Sequence, residues 1–340
     1  MSTQQFAGMP LIDVSLTDPT QGNSVTKQVD GKYVLRPSSL NISCPFSYAQ
    51  NALLGKKSKP SGASAGGTAY HYALELGYKH KIATHTNPNM EDLVTIGVMN
   101  WREVQKVEPL HFAPNDDANR MEQNIIEGLR AYKPAMESIK PIATETRFTV
   151  ALPKESSVYS VISGSVDLLA EAPAPLCITL STPSVEIRDH KFTSKKSTEP
   201  KYKLQAGLYR LMGITNGYNV TDTVLDNMVR GKQLKTKYVP TSLEIVRPLW
   251  NDWVKGNIQA RTNELIDRAE MWDFLKTDMG VDPEDAIKIV YPTTTPEVSY
   301  LCNELWCGWW DECPMNNPNM LPKVNMIDII KQYRSKRGEI

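Results

Sequence analysis

The chain has 340 residues, 41% hydrophobic and 22% charged, a composition typical of a soluble globular protein with a substantial core. Its 38 basic and 38 acidic residues cancel, so the net charge does not indicate a nucleic-acid-binding protein. Residues 1–20 lack a basic start followed by an apolar stretch, and no apolar run approaches the ~20 residues of a transmembrane helix. We therefore expect no secretory signal, no membrane association and a cytoplasmic location.

The first part of the chain is predicted to be helical after a polar arm. Residues 1–38 have few apolar positions and predict an irregular N-terminal arm. Helices are predicted over residues 49–54 and about 66–78, and the second of these carries His71. Residues 91–140 are predicted to be mostly helical. Three prolines are expected to break this region: Pro109, Pro114 and Pro134.

The middle of the chain mixes strands with helices. Strands are predicted at residues 147–152, 158–169, 186–192 and 220–229, and helices at 200–212, 250–275 and 326–336. The Pro- and Thr-rich stretch 171–185 predicts a hairpin inserted between two core strands. We expect an α/β fold, with a mixed central β-sheet flanked by helices, and a polar C-terminal tail over residues 316–340.

Two aspartates and a lysine form the main candidate site. Asp167 and Asp189 each follow an apolar, β-prone run, and the alternation of side chains along a strand directs Asp189 and Lys191 to one face. Mg²⁺ prefers oxygen ligands and keeps waters and substrate phosphates as further ligands. An Asp at a strand end is often only a turn residue, and Lys191 could form a structural salt bridge. Gly164 indicates that a phosphate or a second backbone comes close. Together these residues favour a metal site that activates water beside a phosphodiester.

Further polar residues support this interpretation less strongly. Gln205 and Tyr209 are four residues apart on one helical face, which also suits simple packing against the sheet. His71 alone is more typical of a packing residue than of a ligand. Residues 191–210 contain six basic residues and one acid, and residues 230–237 contain four basic residues and no acid. Such basic islands can hold a phosphate backbone, although a solvated lysine-rich face is an equal alternative.

The four motifs that contain these residues resemble the PD-(D/E)XK nuclease superfamily, and within it the RecB-type exonuclease branch that includes AddB. They are Gly-Thr-Ala-Tyr-His (67–71), Gly-Ser-Val-Asp (164–167), Asp-His-Lys (189–191) and Gln-x-x-x-Tyr (205–209). The resemblance covers about residues 40–315, and the nuclease domain is expected at 39–315. The 21 residues between the two aspartates exceed the family's habit, and the insertion at 171–185 accounts for this if it loops out of the sheet.

The resemblance assigns roles to these positions. It implies that Asp167 and Asp189 bind Mg²⁺ or Mn²⁺, that Lys191 is the catalytic lysine, and that His71 is an additional metal ligand. Gln205 and Tyr209 match the helix that supports the site and contacts substrate. Glu145 corresponds to a glutamate one strand before the first aspartate.

Five cysteines form the second pattern. Cys302, Cys307 and Cys313 are clustered, but clustered thiols are often only buried, and the absence of a Cys-x-x-Cys pair does not favour a zinc knuckle. Some RecB-type nucleases hold an iron–sulfur cluster with one Cys before the histidine motif and three after the core. The resemblance thus implies a [4Fe–4S] cluster on Cys44 and the trio, although the middle gap here is four residues rather than two. No role is expected for Cys177.

The sequence therefore predicts a metal-dependent DNA nuclease. We expect an exonuclease acting on DNA ends or single strands in recombination, repair or replication, with a helicase, a recombinase or a single-strand-binding protein as a possible partner. An endonuclease with the same core, or a non-catalytic DNA-binding or assembly subunit, are the alternatives.

Overall fold

The computed structural model describes residues 28–29, 31–41, 44–58, 60–107, 109–112, 116–173, 183–196, 199–233, 237–293, 307, 309–322 and 324–338. Most of the predicted insertion, with Cys177, and most of the predicted N-terminal arm lie outside these residues. Cys302 lies outside them as well.

Eight α-helices occur in the described part of the chain. They are α1 (Pro45–Ala52), α2 (Gly62–Thr84), α3 (Met90–Val107), α4 (Ala118–Ser138), α5 (Glu199–Thr215), α6 (Asp252–Thr277), α7 (Pro283–Val290) and α8 (Met326–Lys336). Helix α2 begins earlier than predicted because Ser61 caps it, its hydroxyl accepting the Ser64 amide at 3.1 Å. Pro134 lies inside α4 and does not break it, so that prediction is wrong. The stripe of buried side chains on α4 outweighs the lost backbone hydrogen bond.

Nine strands occur among the described residues and complete the fold. They are β1 (Gln28–Val29), β2 (Lys32–Leu35), β3 (Pro141–Ala151), β4 (Tyr159–Glu171), β5 (Ser184–Thr193), β6 (Asn219–Val229), β7 (Lys232–Gln233), β8 (Tyr238–Val239) and β9 (Ser242–Val246). Strands β7 and β8 pair only with each other, and the other seven form one sheet in the order β1-β2-β4-β5-β6-β9, with β3 also paired to β4. Strands β1 and β2 fall within residues predicted to be an irregular arm, and that prediction is wrong for these strands.

The sheet mixes parallel and antiparallel pairs. Strand β4 runs antiparallel to β3 and β5 and parallel to β2, whereas β6 runs parallel to β5 and antiparallel to β9. Since β3 follows one edge of β4 over most of its length, β2 and β5 share the other edge.

Helices cover both faces of the sheet. Leu168, Ala170 and Phe192 pack with the buried residues of α2, α3 and α4. Leu169 and Ile187, which point to the opposite face, pack in a second core with α5 and α6. The predicted fold class, a mixed sheet flanked by helices, is confirmed. In the part of the chain that the structure describes, no helix has the length and apolar character needed to cross a bilayer.

Gly164 makes a close contact, but with the protein itself. A Cβ atom there would lie 2.7 Å from Cδ of Pro37, whose ring is rigid. We expect Gly164→Ala to lower the free energy of unfolding by about 1–3 kcal/mol, because overpacking forces the Pro37–Asn41 3-10 helix away from β4. Chemical denaturation measures the change. Gly256→Ala in α6, where a Cβ meets no atom within 4 Å, is the control and should be neutral or stabilising. An equal loss in both variants would contradict the packing argument.

Candidate active site

The site lies where β4 and β5 separate. Their last paired residues are Leu168 and Arg188, and β5 then continues to Thr193 paired with β6 alone. The next residues along the two strands are Asp167 and Asp189, which therefore face each other across the opening. Residues 163–167 of β4 have no strand partner on this edge among the described residues. The opening thus brings together two acids that are distant in sequence.

Asp167 occupies the position that a backbone partner would otherwise fill. Its Oδ2 accepts the backbone N–H of His190 at 2.6 Å, which satisfies an amide left unpaired where the strands part. The Nδ1 atom of His71, from α2, lies 3.6 Å from the same oxygen. The Asp167 side chain is 18% exposed, so solvent still reaches it.

Asp189 and Lys191 form a nearly buried ion pair. Lys191 Nζ lies 2.6 Å from Asp189 Oδ2, as the shared strand face predicts. Burial raises the pKa of Asp189, and the charge of Lys191 opposes this. Burial alone would lower the pKa of Lys191, but Asp189 and Asp167 raise it, so the amine stays protonated. A carboxylate oxygen can accept more than one hydrogen bond, so Asp189 keeps capacity for a further ligand beyond its pair with Lys191.

His71 is held as a neutral imidazole. Desolvation lowers the pKa of His71 to about 3, and the charges of His190 and Lys191 act in the same direction, although 32% of the side chain remains exposed. A neutral imidazole keeps a lone pair that can be offered to a metal ion.

Glu145 extends the row of acids onto a third strand. It lies between Thr144, which pairs with Leu168, and Thr146, which pairs with Val166, and therefore stands beside Asp167. Its φ of 47° lies in the left-handed region that residues other than glycine rarely adopt. Desolvation and the charge of Asp167 raise the pKa of Glu145 to about 8, although the residue is exposed and solvent therefore screens part of this shift. This repulsion between acids is what a cation would relieve.

This shift predicts a pH effect on stability when a chelator is present. Between the ordinary pKa of 4.5 and about 8, folded Glu145 keeps a proton that the unfolded chain releases. Its contribution to the free energy of unfolding therefore falls as pH rises through this window. Relative to the wild type, Glu145→Gln should become progressively more stable from about pH 5 to about pH 8 in denaturation experiments. A difference independent of pH would contradict this.

Gln205 and Tyr209 lie on the buried face of α5. Gln205 Nε2 donates to the Tyr209 hydroxyl at 3.5 Å, and Asn41 Nδ2 donates to Gln205 Oε1 at 2.6 Å. Burial raises the pKa of Tyr209, with Asp189 adding to the effect. The two residues thus border the acids, but their described hydrogen bonds go to each other and to Asn41. Asn41 belongs to no motif, so its contact with Gln205 could not be predicted from the sequence.

A buried ionic network lies behind the site and was also missed. Arg188 donates two hydrogen bonds to Asp226, at 2.9 and 2.6 Å, and a third to Glu186. The Tyr132 hydroxyl donates to Asp226 at 2.7 Å and lies 3.1 Å from Nε2 of His190. The sequence signal for this network is the alternation of side chains along β5, which places Arg188 and His190 on the face opposite Asp189. The network holds the strand that carries the site.

The structure is compatible with only part of the predicted metal sites. Among the described residues, no group of three or more His, Cys, Asp or Glu side chains is arranged to hold a metal ion. A hard dication needs fewer protein ligands, since Mg²⁺ is usually held by one or two carboxylates with waters and phosphates. Burial and the neighbouring thiols of Cys44 and Cys313 raise the pKa of Cys307, but the three thiols do not form such a group. Cys302, the fourth predicted ligand, lies outside the described residues.

The chain matches a known family over most of its length. A model of the PD-(D/E)XK nuclease superfamily matches residues 38–278, about 71% of the chain. The chain belongs to this superfamily. No curated protein matches it. Membership indicates a metal-dependent nuclease with DNA as substrate, and such nucleases generally use Mg²⁺ or Mn²⁺.

Proposed function

We propose that the protein is a Mg²⁺- or Mn²⁺-dependent deoxyribonuclease of the RecB-type branch, acting as an exonuclease on DNA ends or single strands. The observation that carries the hydrolytic proposal is the opening between β4 and β5, where Asp167 and Asp189 face each other and Lys191 contacts Asp189. The exonuclease assignment is supported by the four motifs in RecB-type order.

The residues present fit a hard dication. Asp167 and Asp189 would hold it, with His71 as a third ligand and Glu145 beside them. The buried carboxylate of Asp189, which has capacity beyond its pair with Lys191, and the raised pKa of Glu145 both favour a positive charge at this place. When bound, the ion would lower the pKa of the attacking water and neutralise charge on the phosphate.

Lys191 supplies a second positive charge next to the reacting phosphate. Its protonated amine can donate to the attacking water and to a non-bridging phosphate oxygen, which places positive charge where negative charge develops. Asp189 fixes the amine at 2.6 Å, and Tyr202 covers it with a ring whose centroid lies 5.3 Å away. Gln205 and Tyr209 position α5 against this face.

Metal binding should stabilise the folded protein. We expect Mg²⁺ or Mn²⁺ to raise the melting temperature, since a ligand at ~100 times its Kd contributes ~2.7 kcal/mol. Asp167→Ala should lose this shift because it removes one of the two carboxylates. Asp267→Ala, a surface acid on α6, is the matched control. An undiminished shift in Asp167→Ala would contradict the assignment of the ligand.

The mode of cleavage is tested with two substrates. An exonuclease should degrade end-labelled linear DNA and leave closed circular DNA intact. Cleavage of the circle would support the endonuclease alternative. Absence of any cleavage with Mn²⁺ would support a non-catalytic DNA-binding subunit, against which the complete set of two acids and a lysine argues.

We also propose the [4Fe–4S] cluster on Cys44, Cys302, Cys307 and Cys313. The support is that Cys44, at the start of α1, lies near Cys307 and Cys313 from the other end of the domain. Protein purified without oxygen should be brown, with broad absorption at ~400 nm from iron–thiolate charge transfer. Cys313→Ala should lose this band and Cys177→Ala should keep it. A colourless protein that contains zinc would overturn the proposal.

A further inference from the structure

An unusual exposed surface lies at the start of α6. Trp253 is 61% exposed and Leu249 is 55% exposed, although tryptophan is among the residues that folding usually covers. Trp250 lies between them and packs toward α5, since a Cβ at Gly207 would be 3.0 Å from its ring. We call Trp250 and Trp253, with the cations around them, the tryptophan platform.

Three cations complete the platform. Lys203 Nζ lies 5.2 Å from the centre of the Trp253 ring. Arg210 and Lys255 approach the Trp250 ring at 5.4 and 5.5 Å. Lys255 also forms an ion pair with Asp252 at 2.9 Å. Burial lowers the pKa of Arg210, and the charge of Asp222 opposes this. Exposed rings with cations among them are the arrangement by which proteins hold single-stranded nucleic acid, with bases stacked on rings and phosphates on cations.

Helix α5 joins the platform to the candidate active site. Tyr202, Gln205 and Tyr209 share one stripe of the helix, and Tyr202 contacts Lys191 of the site. Lys203, Gly207 and Arg210 form a second stripe, centred roughly 130° around the axis, and face α6. A strand on the platform would therefore need to cross only the width of this helix to reach the acids.

We propose that the tryptophan platform binds single-stranded DNA and delivers it to the active site, with a base stacked on Trp253 and phosphates held by Lys203 and Lys255. This proposal rests on the proposed function and specifies the form of its substrate. A duplex keeps its internal bases stacked on one another and offers only the faces of its terminal pairs to Trp253. The platform therefore distinguishes a single strand from a duplex.

The test is a binding measurement made without cleavage. Fluorescence anisotropy with a labelled single-stranded oligonucleotide and a duplex, both in EDTA, compares the wild type with Trp253→Ala. The affinity for the single strand should fall about 5- to 150-fold, as expected for one lost base–aromatic contact, while duplex affinity stays within twofold. Trp253→Phe retains a ring and should recover most of the affinity. Met99→Ala removes an equally exposed apolar side chain on α3, and should bind like the wild type.

Each other outcome overturns a different claim. Unchanged single-strand affinity in Trp253→Ala would overturn the platform, whether or not the protein cleaves DNA. Equal loss for single strand and duplex would make this a general phosphate-binding surface and overturn base stacking. If the wild type binds the single strand but never cleaves it with Mn²⁺, the platform survives and the nuclease proposal fails.

Discussion

Replacement of Asp189 by Ala should reduce DNA cleavage by at least about a hundredfold. Loss of a residue that only hydrogen-bonds to a metal ligand costs about 10–100-fold, and loss of a proposed ligand itself should cost more. The variant removes one of two facing carboxylates and the only described ion-pair partner of Lys191. Lys191→Ala should lose activity similarly, since it removes the positive charge that we propose faces the reacting phosphate. Initial rates on linear DNA with Mn²⁺ measure both effects.

The control separates chemistry from folding and binding. Asp267→Ala, at a half-exposed ion pair on α6, should cleave at the wild-type rate. Binding of DNA in EDTA by Asp189→Ala should stay within a few-fold of wild type, because the platform and the basic residues are untouched. Wild-type turnover in the Asp189 variant would remove the mechanistic proposal.

The second large effect concerns stability. Asp226→Ala should lower the free energy of unfolding by about 3–5 kcal/mol, because it leaves Arg188 buried with half of its partners. Asp226 is fully buried and Arg188 is 4% exposed, so water cannot replace the lost carboxylate. Burial alone would lower the pKa of Arg188, and Asp226 is the main group that raises it.

Urea denaturation measures this loss. Glu103→Ala, which removes one member of an exposed pair on α3, should change stability by less than ~0.5 kcal/mol. A loss below ~1 kcal/mol in Asp226→Ala would show that the network is not a stabilising feature of the sheet.

The sequence predicted what depends on local pattern. Strand alternation correctly placed Asp189 and Lys191 on one face, and the periodicity of residues 326–336 gave the bounds of α8. Apolar, β-prone runs also located β4, β5 and β6, with every strand end within two residues of its predicted position. Local propensity thus sufficed for the elements that carry the candidate site.

Pairing between distant segments could not be predicted in the same way. Lys32–Leu35 joins the central sheet through β4, which lies more than 120 residues later in the chain. The hydrogen bond between Asn41 and Gln205 spans 164 residues, and Arg188 meets Asp226 only through the parallel pairing of β5 with β6. The opening between β4 and β5 is a property of register, which neither strand's own sequence contains.

The most direct test of the central claim is to locate the metal. Crystals soaked in Mn²⁺ should show an anomalous peak between the carboxylates of Asp167 and Asp189, at roughly 2.0–2.2 Å from their oxygens. A catalytically active protein whose only Mn²⁺ peak lies elsewhere would contradict the account.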